Sequence, residues 1–232
     1  MKADVPCLAG DAVSVPRYLS DTYWWAYVHP RAVRLFEREW LVNMILWGNF
    51  ARLRDAAIAA LGTMDGRTLQ VACVYGDLTL RLSQAAKGSL DVVDVLPVQL
   101  DNLARKLPRE TRVGLYQGDS SRLAFPSASY DQALLFFLLH EQPEEVRRRT
   151  LAEALRVVKP GGRIVIVDYH RPKLSNPLYA PMVAILKTLE PFAMDLWRHE
   201  LSDWFPAGAP VASLQKSTSF AGLYQLVTIT KT

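Results

Sequence analysis

A chain of 232 residues, 50% of them hydrophobic, can bury one full core with an elaboration or two, and its composition is that of a globular protein. The formal net charge of +4 is dispersed among acids, and the densest basic run, Arg147-Arg148-Arg149, follows Glu144-Glu145 on a predicted helix, so it reads as a solvated face and excludes a nucleic-acid stripe. The two cysteines, Cys7 and Cys73, make no disulfide framework and no run reaches about 18 apolar residues, so a cytoplasmic chain is expected, soluble or peripheral at the inner face of a membrane.

After a loose leader, Tyr18 to His29 is dense in aromatics, and Tyr23, Trp24, Trp25 and Tyr27 offer broad faces with polar tips for a flat apolar ligand, or for packing. Pro30 suits the first turn of a helix that continues to Trp47, and Gly48 breaks or bends it. A second helix, Phe50 to Leu61, ends at Gly62. Nothing before residue 67 has strand character, so residues 1–66 read as a leader and helical cap ahead of an α/β core over residues 67–232.

The core alternates strand and helix, which implies a parallel, doubly wound sheet of Rossmann-like type. Strands are predicted at Thr68–Val74, Leu90–Val93, Arg112–Tyr116, Asp131–Phe137 and Arg163–Val167, the last entered through a Pro160-Gly161-Gly162 turn. Helices are predicted at Asp77–Ala86, Val98–Leu107 and from Pro143 to about Val158. Residues 171–210, rich in proline, aromatics and aliphatics, are too long for an ordinary connection and too apolar for a solvated loop, so they read as a lid that meets a lipid-like substrate or a membrane interface. Ala212–Phe220 and Leu223–Thr230 alternate in polarity and should close the sheet as a strand pair.

Ligands of open α/β sheets bind at the carboxyl ends of the strands. The first such end is Thr68-Leu69-Gln70-Val71-Ala72-Cys73-Val74-Tyr75-Gly76-Asp77, a strand and tight turn into a helix, with Val74, Tyr75 and Gly76 at the cofactor's position. Asp94, followed by Val95, is placed after the second strand to accept hydrogen bonds from ribose hydroxyls. Asp119 and Ser120 follow the third.

The first of these stretches resembles the V-L-D-V-G-C-G-T-G loop of class I S-adenosylmethionine-dependent methyltransferases, but Gln70 stands where the acid usually sits and Ala72 and Val74 replace two of three glycines. Leu123-Ala124-Phe125-Pro126, Leu138-Leu139-His140-Glu141-Gln142-Pro143 and Leu155 to Arg163 resemble the matching segments of ubiquinone- and menaquinone-pathway C-methyltransferases. Together, Tyr-Trp-Trp-Ala-Tyr-Val-His-Pro at 23–30 and Val-Ala-Cys-Val-Tyr-Gly-Asp at 71–77 resemble the rhodoquinone-biosynthesis methyltransferase-like enzymes, nearly end to end.

That resemblance implies conversion of ubiquinone to rhodoquinone, with an amino group from S-adenosylmethionine replacing a methoxy group and manganese (Mn2+) assisting. Amino transfer needs an unprotonated amine and a polarised carbonyl, hence a base and a Lewis acid. His140 and Glu141 are the first candidates as metal ligands, with Asp168 and His170 next; His140, Asp168 and Tyr75 are the candidate catalytic residues, and His170 a candidate substrate contact. Two other readings stand beside it: an ordinary quinone methyltransferase, and a catalytically silent quinone-binding protein of the same fold.

Overall fold

The computed structural model describes residues 14–22, 38–108 and 110–232. Among the described residues, three helices precede the first strand: α1 (Arg17–Thr22), α2 (Glu39–Ile45) and α3 (Phe50–Leu61). The core then runs β1 (Thr68–Val71), α4 (Leu78–Ala85), β2 (Leu90–Asp94), α5 (Pro97–Lys106), β3 (Val113–Gln117), β4 (Tyr130–Phe136), a 3-10 turn at Leu139–Glu141, α6 (Glu144–Val157) and β5 (Val158–Tyr169). Helix α7 (Tyr179–Leu189) and two 3-10 turns lead to β6 (Val211–Ser219) and β7 (Tyr224–Lys231).

The seven strands are ordered β3-β2-β1-β4-β5-β7-β6, with β1 to β5 parallel and β7 antiparallel to both its neighbours. Strands β1 and β2 are buried along their whole length, as parallel strands covered on both faces must be. The order reverses between β1 and β4, so the crevice at their carboxyl ends is the switch point at which such sheets take ligands.

Most predicted strand and helix boundaries of the core differ from the structure by a residue, and those of β1 and β5 by more. Strand β1 stops at Val71 rather than Val74, because Ala72 turns into the left-handed region at φ +72° and ends the ladder. Pro160-Gly161-Gly162 does not precede β5 but lies inside it as a bulge: Tyr130 pairs with Val158, and the next pair is Gln132 with Arg163. Proline cannot donate to a ladder and Gly161 sits at φ +74°, so the strand bends there without ending. The predicted helix from Pro30 is described only from residue 38 onward, as α2.

Candidate active site

The loop joining β1 to α4 crosses the carboxyl edge of the sheet, and side chains hold it where glycines would otherwise let it bend. Buried Gln70 donates from Nε2 to the Ala72 carbonyl (3.0 Å) and accepts at Oε1 from Thr79 Oγ1 (2.8 Å). The Tyr75 hydroxyl accepts from Gln99 Nε2 (2.8 Å), Lys106 Nζ donates to the Gly76 carbonyl (2.8 Å), and Arg54 pairs with Asp77. Gly76, at φ +87°, is required by packing: a Cβ there would lie 2.8 Å from Cζ of Phe50. Val74 is half-buried against the core.

Asp94 ends β2 and faces this loop. Its Oδ2 accepts from the Cys73 N–H (2.7 Å) and its Oδ1 from the Leu96 N–H (2.8 Å), and the Cys73 side chain and the Val95 N–H also bond to the carboxyl. Burial pushes its carboxyl up to about 6, against the opposite pull of those hydrogen bonds. The neighbouring Val95 carbonyl accepts from Gln117 Nε2 (3.3 Å). A buried carboxylate beside a stapled loop at the switch point has the chemistry to accept hydrogen bonds from a ribose diol.

Beyond β3, Asp119 Oδ1 accepts from the Ser121 N–H (2.8 Å), so part of its carboxylate is spent on its own turn. Ser120 Oγ lies 3.1 Å from Thr150 Oγ1 and accepts from Gln142 Nε2 (3.0 Å), which ties β3 to α6 and to the segment after β4. Tyr18, on α1, was not singled out from the sequence. Burial and then the nearby carboxylates of Glu141, Asp119 and Asp94 raise its phenol well above the ordinary range, with the Gln142 side chain opposing them. Its ring meets that of Phe192 edge-on at 6.4 Å.

The second half of the site is built on Asp168. Its Oδ2 accepts from the Leu139 and His140 N–H groups (2.9 and 3.3 Å), and its Oδ1 accepts from the Tyr169 N–H (2.8 Å) and meets His140 Nδ1 (2.9 Å). Burial pulls the His140 imidazole down, but the Asp168 carboxylate outweighs it, with smaller contributions from Glu190 and Glu141, and raises it to about 9. At neutral pH His140 is thus an acid rather than a base. Fully buried Arg147 braces the segment by donating to the carbonyls of Leu139 (2.9 Å), Gln142 (2.8 Å) and Phe192 (2.9 Å).

Not every sequence-predicted residue joins these two clusters. His170 Nδ1 pairs with the Gly222 carbonyl (2.8 Å) and its Nε2 faces Lys216 Nζ (3.3 Å), apart from the His140–Asp168 pair. Tyr23, Trp24, Trp25 and Tyr27 lie outside the described residues. The donor set does not fit a resident manganese ion: His140 Nδ1 and both Asp168 oxygens are engaged within the fold, and no cluster of three candidate ligands occurs among the described residues. The missed residues, Gln99, Lys106, Arg54 and Tyr18, act on the loop and crevice from distant segments and carry no local motif.

Comparison with known proteins agrees with this geometry. The "Methyltransferase domain" family matches residues 68–162. A demethylmenaquinone methyltransferase of Bacillus licheniformis is 28% identical over 135 residues, 57% of each chain, so the chain spans little more than half of that relative. A demethylmenaquinone methyltransferase of Beutenbergia cavernae is 29% identical over 201 residues, 79% of this chain and 78% of the relative. Among solved structures, phosphoethanolamine N-methyltransferase 2 of Haemonchus contortus, in complex with S-adenosyl-L-methionine, superposes with a TM-score of 0.62 at 12% identity, covering 94% of this chain and 60% of that one. The [4+2]-cyclase SpnF gives 0.55 at 19% identity, covering 78% and 80%. Residues 68–162 are thus similar to a methyltransferase domain, and the chain has the Rossmann-like α/β fold shared with the class I S-adenosylmethionine-dependent methyltransferases.

Proposed function

We propose that the chain is an S-adenosylmethionine-dependent transferase acting on a quinone, and that it converts ubiquinone to rhodoquinone by amino transfer. The observation that carries this reading is the loop over residues 72–77: it is built not from glycines but from side-chain staples, with the Tyr75 hydroxyl fixed by Gln99 beside the place where the amino-acid end of the cofactor belongs. Bound there, S-adenosylmethionine would supply its α-amino nitrogen to the ring carbon that bears the methoxy group, a C–N bond forming as the C–OCH3 bond breaks and methanol leaves. Transfer would be completed when the ring takes up the electron pair of the cofactor's Cα–H as a hydroquinone and water cleaves the N–Cα bond, leaving the aminated hydroquinone and the remainder as a 2-oxo acid. Asp94 holds the ribose, Asp119 and Ser120 border the adenine, and Val74, Val95 and Gly76 line the crevice. Across it His140, kept protonated by Asp168, offers a proton or hydrogen bond to a quinone carbonyl. That supplies the polarisation otherwise expected of manganese, for which the described donors do not form a site.

The demethylmenaquinone methyltransferases among the relatives favour one other reading, methyl transfer to a quinone with the same cofactor. Quinone-dependent consumption of S-adenosylmethionine by the purified chain supports a transferase of either kind. Quinone binding without any consumption would return the protein to a silent carrier.

A quinone with an isoprenoid tail is reached at a membrane, and we propose that residues 1–66 and 171–210 act as cap and lid over the crevice and meet an anionic bilayer surface. Trp40 (58% exposed), Met44 (59%), Ile45 and Trp47 of the cap and Ile185 and Leu189 of α7 are exposed apolar side chains, and Trp47 Nε1 contacts Met182 Sδ at 3.3 Å, joining the two segments. The net charge of +4 is complementary to such a surface. Among the described residues no helix is long and apolar enough to cross a membrane.

A further inference from the structure

Three aromatic residues from three strand ends meet beside His140. Phe137 follows β4, Tyr169 ends β5 and Tyr224 begins β7, where Tyr169 and Tyr224 are direct partners in the antiparallel ladder. Ring centroids lie 5.3 Å apart for Phe137 and Tyr169, 5.8 Å for Phe137 and Tyr224, and 5.9 Å for Tyr169 and Tyr224; the His140 ring is 4.9 Å from Tyr169 and nearly perpendicular to it, at 82°. Phe137 holds a left-handed φ of +52°, which a bulky side chain rarely adopts, and its N–H is fixed to the Val167 carbonyl at 2.7 Å. Strain of this kind persists where the surrounding structure enforces it, and here it places an aromatic ring at the mouth of the acid pair.

Within this box the Tyr224 hydroxyl is fully buried and has no hydrogen-bond partner among the described residues. A phenylalanine would keep every ring contact without burying a bare donor, so the hydroxyl costs the free fold stability and contributes nothing to its packing. Both rings that meet Tyr224, those of Phe137 and Tyr169, also meet the His140 ring, at 5.9 and 4.9 Å. Burial holds the Tyr224 phenol protonated well above its ordinary range, so it is a donor at neutral pH. A buried donor without an acceptor, walled by aromatic rings beside a protonated imidazole, is complementary to a planar ring that carries carbonyl oxygens.

We propose that Phe137, Tyr169 and Tyr224 form the binding site for the substrate's ring and that the Tyr224 hydroxyl positions it by donating a hydrogen bond to one of its carbonyl oxygens. This rests on the reading of the substrate as a quinone. Tyr224 is a positioning residue: its donor completes the fit, while the proton offered by His140 acts on the reacting carbonyl system.

The test is Tyr224→Phe, followed by thermal melting of the ligand-free chain, equilibrium dialysis with a short-tailed ubiquinone, and titration with S-adenosylmethionine. The variant should melt at or above the wild-type temperature and bind S-adenosylmethionine equally well, yet bind quinone about tenfold more weakly, with KM rising in proportion where turnover is seen. Phe137→Leu, which keeps apolar volume but removes the ring, should also weaken quinone binding. Wild-type quinone affinity in Tyr224→Phe would overturn the proposal, and so would a melting temperature several degrees lower, which would make the hydroxyl structural. If the wild-type chain binds quinone without turnover, the transferase reading fails while the binding ratio still decides the role of Tyr224; no quinone binding by the wild type overturns both.

Discussion

Asp94 carries two demands that conflict. Burial favours its neutral form and raises it to about 6, while ribose hydroxyls are best accepted by the carboxylate. The native chain therefore holds a proton more tightly than the unfolded chain, so the stability contributed by Asp94 falls as pH rises from the ordinary carboxylate value toward 6 and is level above it. Cofactor affinity runs the other way: binding of S-adenosylhomocysteine should be constant above pH 6 and about tenfold weaker one unit below it, as measured by titration calorimetry. In Asp94→Asn that pH dependence should vanish along with most of the affinity. A strand-end acid one βαβ unit beyond the loop is legible in the sequence because topology alone decides where it points. The clamping of Ala72 and Thr79 by Gln70 is not legible, since it depends on an amide reaching both across the turn. The missing partner of the Tyr224 hydroxyl is a property of three dimensions only.

At the level of elements, the strand–helix alternation and the closing antiparallel pair can be read from polarity patterns, and α3 occupies the predicted span from Phe50 to Leu61. What escapes the pattern is cooperation between distant elements. Helix α3 presents Phe50 to Gly76 and Arg54 to Asp77, and α5 presents Gln99 to Tyr75 and Lys106 to Gly76, so the cofactor loop is shaped by two helices as much as by its own residues. The remaining glycine thus makes room for α3. Gly76→Ala should destabilise the chain by about 1–3 kcal/mol through its positive φ and its collision with Phe50, measured by urea unfolding. A second change that shortens the ring, Phe50→Leu, should restore part of that loss if the collision is the cause. The bulge at Pro160 to Gly162 was unreadable for a related reason: a Pro-Gly-Gly run signals a turn locally, and only pairing with β4 and β7 on either side keeps it in a strand.

For the molecule as a whole, the crevice lies at the carboxyl edge of the sheet, while a cavity of about 500 Å3 lined by residues such as Gly62, Gln132 and Arg163 lies at the opposite edge, away from Asp94 and His140. Exposed apolar side chains gather on the cap and α7, the two segments that frame the proposed entrance. If that face meets a bilayer, replacing Trp40 and Trp47 together by serine should reduce sedimentation with phosphatidylglycerol-containing vesicles severalfold and leave cofactor binding unchanged. Equal sedimentation of both proteins would remove the membrane from the account. The central claim is that a methyltransferase fold with a rebuilt cofactor loop moves the amino group. Mass spectrometry of the quinone formed from short-tailed ubiquinone and S-adenosylmethionine, labelled with heavy nitrogen in its amino group and heavy carbon in its methyl, tests it directly. The account predicts heavy nitrogen in the quinone with loss of one methoxy group, whereas heavy methyl in the product would contradict it and make the chain a quinone methyltransferase.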